Sequence, residues 1–166
     1  MRYLKRNAGY SYARILSRCR NPAYLSCEAD VKLLMFYSPE FWVKPAEKAP
    51  ADAPEPAGEE TFRNAVVIFY HAEAEDAGRE DKVVTKWVKN AKWLAGKFGT
   101  RTIVLHSFNH LSQSKAPVEL AASMRDEVWN RLERTGYTVS ETPFGRQNEW
   151  KMHVSGESLA KVFKEI

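Results

Sequence analysis

The chain predicts a single α+β domain, a mixed β-sheet with helices packed against it, on three observations. An almost wholly apolar run, Ala65-Val66-Val67-Ile68-Phe69-Tyr70, reads as a strand covered on both faces. Two later stretches repeat apolar residues at three- and four-residue spacing, with a short apolar run between them. The 166-residue length suits one domain with enough chain to bury a core.

Each element has its own signal. Val31 to Tyr37 reads as a first strand, stopped by Ser38-Pro39. Residues 45–60 then turn to Ala, Pro and Glu, with Pro45, Pro50, Pro54 and Pro56. Proline donates no ladder hydrogen bond and the segment offers little apolar surface, so it reads as a solvated loop. After the 65–70 strand, Val84, Trp87, Val88, Ala91, Leu94, Ala95 and Phe98 recur at helical spacing, and Gly99 supplies the stop. The opposite face carries Lys82, Lys86, Lys89 and Lys97, a solvated face or a stripe along a nucleic-acid backbone. Thr102 to Leu105 forms the next strand. Pro117 sits in the first turn of a helix whose buried stripe is Val118, Ala121, Met124, Val128 and Leu132, ending at Gly136. Residues 137–141 and 149–154 read as two strands, the second with Trp150, Met152 and Val154 on one face. A closing helix is expected from about Ser158 to the end. The order is β-β-α-β-α-β-β-α.

The net charge of +4 is local. Residues 1–30 hold Arg2, Lys5, Arg6, Arg14, Arg18 and Arg20 against Glu28 and Asp30, which accounts for all of it. The remainder is balanced, so any nucleic-acid contact must come from patches rather than a global field. This basic segment reads as an N-terminal extension to a domain spanning 31–166. It also holds both cysteines, Cys19 and Cys27; a body without cysteine fits a reducing, cytoplasmic setting and no disulfide framework. No run approaches the roughly 18 apolar residues of a membrane span.

His71, His106, His110 and His153 lack metal-ligand spacing: His106 and His110 are four apart, but where a strand enters a turn, not on a helix. No metal or organic cofactor is implied. There is no Walker loop, glycine-rich dinucleotide turn or nucleophile elbow. His71 and His110 each lie just beyond a buried strand, where sheets of this kind place ligands. Contact with a ligand and capping of the turn both remain open for them.

In this order and spacing, Phe108-x-His110-Leu111-Ser112, Lys115-x-Pro117, a long helix, Gly136-Tyr137-x-Val139 and Pro143-Phe144-Gly145 resemble the editing domain of archaeal-type threonyl-tRNA synthetases. That family shares its fold with D-aminoacyl-tRNA deacylases. The resemblance covers roughly 31–166 and implies a free-standing, trans-acting deacylase that hydrolyses Ser-tRNA(Thr) at the terminal adenosine. It implies a homodimer, and threonyl-tRNA synthetase as a further partner. In the family, backbone at the strand ends holds amino acid and adenosine, and water attacks with help from the substrate's own hydroxyl. By resemblance Phe108, Asn109, His71, Ala72, Phe144 and Gly145 line the pocket, and His110 is its histidine.

Two positions depart from the family pattern. The family lysine three residues after Pro-Phe-Gly is Asn148, which can donate a hydrogen bond and position water but brings no charge. A family glutamate on the closing helix falls on Lys161, which is therefore a candidate to supply the missing ammonium, against the plainer reading of a solvent-facing side chain. The catalytic expectation rests on His110, Asn148 and Lys161. The departures leave two alternatives: a non-catalytic module that binds tRNA or an aminoacyl ligand, and a deacylase for another misacylated or D-aminoacyl-tRNA.

Overall fold

The computed structural model describes residues 31–46 and 58–166. The basic segment 1–30 and most of the proline-rich loop expected at 45–60 lie outside the described residues. The elements are β1 (Lys32–Pro45), β2 (Glu60–His71), α1 (Glu80–Lys97), β3 (Thr102–Ser107), α2 (Val118–Glu133), β4 (Thr138–Glu141), β5 (Asn148–His153) and β6 (Lys161–Glu165). Short 3-10 turns occupy Ala74–Asp76 and Ser158–Ala160.

These strands form one mixed sheet in the order β4-β3-β2-β1-β5, with β6 also paired to β1. β2, β3 and β4 run parallel, joined by α1 and α2, while β1 is antiparallel to β2, β5 and β6. Both helices cover the same face. Leu33, Met35, Val66, Ile68, Tyr70, Ile103 and Leu105 meet Trp87, Leu94, Met124 and Leu132 there, all buried. Burying a side chain of this size contributes about 1.5–3 kcal/mol, so the core is dominated by this layer. Val118 does not join it: at 64 % exposure it lies outside the α2 stripe, because the helix begins there and Pro117 is its N-cap.

Among the described residues, no helix covers the second face. Phe41, Val43, Ala65, Val67, Phe69 and Val104 form its core, with Phe36, Phe62, Phe108 and Met152 packed on it. The two faces exchange along β1. Leu33 and Met35 point to the helices, whereas Phe41 and Val43, equally odd-numbered, point to the open face. β2 makes the same exchange between Phe62 and Ala65. Strand side chains alternate strictly, so something between must break the alternation. At the crossover Pro39, which has no N–H, lies opposite Asn64, whose φ of 49° is left-handed, and this is the pair missing from the register. The expectation that Ser38-Pro39 stops the strand is therefore corrected: Pro39 bends it. Ser38 secures the bend, its hydroxyl oxygen lying 2.8 Å from the carbonyls of both Glu40 and His153, which share its one proton.

The closing helix is also corrected. Residues after Ala160 pair with β1 as a strand, Lys161 opposite Phe36 and Phe163 opposite Leu34. A free edge on the first half of β1 is available because β5 covers only the second half, and ladder bonds there outweigh the modest helical propensity of this short segment.

Candidate functional site

The open face holds a cleft of about 550 Å³ between the end of β3 and the start of β5. One wall is His106, Ser107, Phe108, Asn109 and His110; the other is Gly145, Arg146, Gln147, Asn148 and Trp150.

The first wall is a tight turn held from β2. Phe108 N–H donates to Tyr70 O at 2.9 Å, continuing the strand pairing, and His110 N–H donates back to Phe108 O at 2.9 Å. This i to i+2 bond is a γ-turn, which leaves Asn109 and His110 exposed at the rim. His71 fixes the residues beyond it. Its ring is fully buried; Nδ1 accepts from Leu111 N–H and Ser112 N–H, both at 3.1 Å, and Nε2 lies 2.8 Å from Ser114 O. A nitrogen accepting two amide protons carries none itself, so Nε2 bears the hydrogen and donates to the carbonyl. Both ring nitrogens are thus committed to the His-Leu-Ser turn. Ala72 is buried beside it, its carbonyl accepting from Ala116 N–H at 2.9 Å.

The second wall is the Pro143–Asn148 turn. Gly145 has φ 72°, a conformation in which a Cβ is strained. Asn148 closes the turn, its Nδ2 donating to Pro143 O and Arg146 O at 3.2 Å each, while its Oδ1 is buried without a hydrogen-bond partner. Ala46 N–H donates to Gln147 O at 2.9 Å and ties the turn to the end of β1. Phe144 points the other way. Its ring packs against the helix-side core under the Arg125 guanidinium, 5.1 Å from its centroid. Arg125 in turn pairs with Glu141, which accepts from the Tyr70 hydroxyl at 3.1 Å. Burial raises the Glu141 carboxyl above its ordinary range despite the nearby guanidinium.

The floor is aromatic. Phe69 meets His106 at 4.5 Å, Phe108 at 5.3 Å and Trp150 at 5.4 Å between ring centroids. His106 is 4 % exposed and its pKa is lowered to about 4, because burial disfavours the charged imidazolium.

Of the residues expected at the site, the structure brings together Phe108, Asn109, His110, Gly145 and Asn148. His71, Ala72 and Phe144 stand behind the walls. Lys161 lies outside the cleft: it begins β6, opposite Phe36. Directly paired residues share a face, so it projects from the same open face, one strand removed. His106, Ser107, Arg146, Gln147 and Trp150 were not expected to line it. Arg146 directly follows Pro143-Phe144-Gly145, a signal that could have found it, whereas His106 sits inside a strand and reads like a core residue. Trp150 depends on the bend at Pro39 and Asn64, which has no local signal. The described residues contain no group of three or more His, Cys, Asp or Glu that could hold a metal ion. No helix among them is long and apolar enough to cross a membrane.

A sheet with two helices on one face and a strand-end cleft on the other defines an α+β domain. The chain is similar in fold to the c-Myc DNA unwinding element binding protein, with a TM-score of 0.56 and 12% identity over 81% of this chain and 98% of that one. It is also similar to a probable eukaryotic D-amino acid tRNA deacylase, with a TM-score of 0.50 and 9% identity over 82% and 99%. At these identities the likeness concerns the fold alone.

Residues 31–166 match the model of the archaea-specific editing domain of threonyl-tRNA synthetase, and the chain belongs to that family. Among its relatives, the threonine–tRNA ligase of Hyperthermus butylicus is 30% identical over 138 residues, 80% of this chain. That of Thermococcus onnurineus is 27% identical over 140 residues, 82% of this chain. In both cases the match spans 22% of the ligase.

Proposed function

We propose that this domain hydrolyses mischarged aminoacyl-tRNA, specifically Ser-tRNA(Thr), and that it does so in trans. The observation that carries the reading is the cleft, in which the Phe108–His110 turn faces the Gly145–Asn148 turn across an aromatic floor. Such a floor suits a nucleoside, since base–aromatic stacking is worth about 1–3 kcal/mol. Exposed strand-end backbone and rim groups suit the ester.

In the proposed reaction a water oxygen attacks the carbonyl carbon of the ester. The bond from that carbon to the ribose oxygen breaks, the water's proton ends on that oxygen, and serine leaves with tRNA restored. His110, exposed at the rim, orients or relays the proton. Asn148 holds its turn with Nδ2 and offers Oδ1, a buried acceptor without a partner, for the attacking water. The charge missing at Asn148 is supplied by Arg146, the lining residue that is always cationic, against the developing oxyanion or the terminal phosphate. Lys161, on the same face but outside the cleft, is at most an outer contributor.

The test is ester loss from seryl-, threonyl- and D-aminoacyl-tRNA with the chain added as a separate protein. We expect Ser-tRNA(Thr) to be cleared, Arg146→Met to lower the rate by roughly 10–1000-fold, as loss of an oxyanion partner does, and Lys161→Met to change it less than about threefold. Tight tRNA binding without hydrolysis would establish the binding-module reading instead. Clearance of D-aminoacyl-tRNA alone would reassign the substrate. A second copy of the chain and threonyl-tRNA synthetase are the proposed partners, read from the mass of the assembly in solution.

A further inference from the structure

His106 lines the cleft from its floor and belongs to neither turn. It is the fifth residue of β3, 4 % exposed, yet it lines the cleft. Phe69 packs against its ring, with Phe41 edge-on at 6.5 Å and Phe108 at 6.2 Å, so the imidazole is held in one orientation. Its Nδ1 lies 2.8 Å from the Thr142 hydroxyl. No hydrogen bond engages its Nε2 among the described residues, and this nitrogen is not sealed from solvent.

The hydrogen on this ring can be placed. Thr142 is 2 % exposed, and Nδ1 is the one partner its hydroxyl has among the described residues. A buried hydroxyl proton with no acceptor is expensive, on the order of 1–3 kcal/mol. The arrangement that satisfies both groups has Thr142 donating to Nδ1. The imidazole is neutral, so its single hydrogen then sits on Nε2, the nitrogen left for the cleft.

We propose that His106 is a substrate-contacting residue that donates Nε2–H to the carbonyl oxygen of the aminoacyl ester, with Thr142 as the positioning residue that sets its tautomer. This rests on the reading of the cleft as an ester-hydrolysing site. The aromatic setting favours the carbonyl over a hydroxyl. Between Phe69 and Phe108 the bond competes with little water, and such a donor contributes most where negative charge develops. It also separates roles: His106 donates and has no free lone pair to take a proton, leaving proton transfer to His110. The other charged or titratable groups lining the cleft are His110 and Arg146.

Two measurements test it. In single-turnover hydrolysis of Ser-tRNA(Thr), His106→Phe keeps the ring packing and removes the donor. It should lower kcat roughly 10–1000-fold and leave KM within about threefold, while His106→Gln, whose amide donates from nearly the Nε2 position, should recover most of the loss. An effect on KM alone, or a wild-type rate in His106→Phe, overturns the assignment. Nitrogen-15 spectra of the wild-type protein at pH 7 should show the Nε2–H tautomer, relaxed toward a mixture in Thr142→Val; the Nδ1–H tautomer overturns the proposal. If the wild-type protein hydrolyses no ester, it is the reading of the site that fails, and the spectrum still decides whether the donor exists.

Discussion

Three histidines near one sheet end have three different assignments, set by what surrounds each ring. His71 is sealed among the amides and carbonyl of the turn that it shapes. His110 is exposed at the rim, its ring 5.1 Å from that of Phe108. His106 is buried in the aromatic floor with a pKa lowered to about 4. This last environment couples to stability. An unfolded imidazole titrates near 6.5, so between about pH 6.5 and 4 the unfolded chain binds a proton that the folded chain excludes. Folded stability is therefore retained above pH 6.5 and falls as pH drops toward 4, by about 3 kcal/mol over the whole window. Urea midpoints measured across it should fall more steeply for the wild-type protein than for His106→Phe. Parallel curves would show that His106 takes a proton as readily folded as unfolded.

At the scale of elements, the bend in the β1–β2 hairpin decides whether there is a cleft. Pro39 and Asn64 interrupt the ladder, the faces exchange, and β5 is carried to where Trp150 reaches Phe69. Asn64→Gly should be nearly neutral, since glycine accepts a φ of 49°. Asn64→Val should destabilise by about 1–2 kcal/mol, the penalty for a left-handed residue with a crowded Cβ. Equal effects in a denaturation titration would mean that the backbone there is relaxed. Much of the element order is legible in the sequence because it is written locally. The α1 stripe from Val84 to Ala95 is buried as its spacing requires, and the 65–70 run is covered on both faces. What failed was non-local. Residues 161–165 form a strand because β1 leaves an edge free, and Pro39 bends a strand because a left-handed Asn64 lies opposite. The cleft shows the same division. His110 was legible from its place just beyond a buried strand, and Phe108, Asn109 and Gly145 only through the family resemblance, whereas Trp150 required knowledge of the bend, and His106 could not be told from a core histidine by its place in a strand.

For the whole molecule, the distribution of structure between the two faces matches a division of labour. Helices and the larger core stabilise one face, while the other keeps a short aromatic core, a cleft and partly exposed Trp150 and Phe163, 40 % and 51 % accessible. Family membership supplies the context of editing, and the cleft supplies the chemistry proposed for it. A serine side chain differs from threonine by one methyl, a difference worth only about 1–3 kcal/mol in a pocket, or roughly 10–200-fold. The most direct test is the single-turnover rate of ester loss from Ser-tRNA(Thr) relative to Thr-tRNA(Thr) with the wild-type chain. The seryl ester should be cleared at least about tenfold faster than the threonyl ester; equal rates, or loss of neither ester above the uncatalysed background, would contradict Ser-tRNA(Thr) as the substrate.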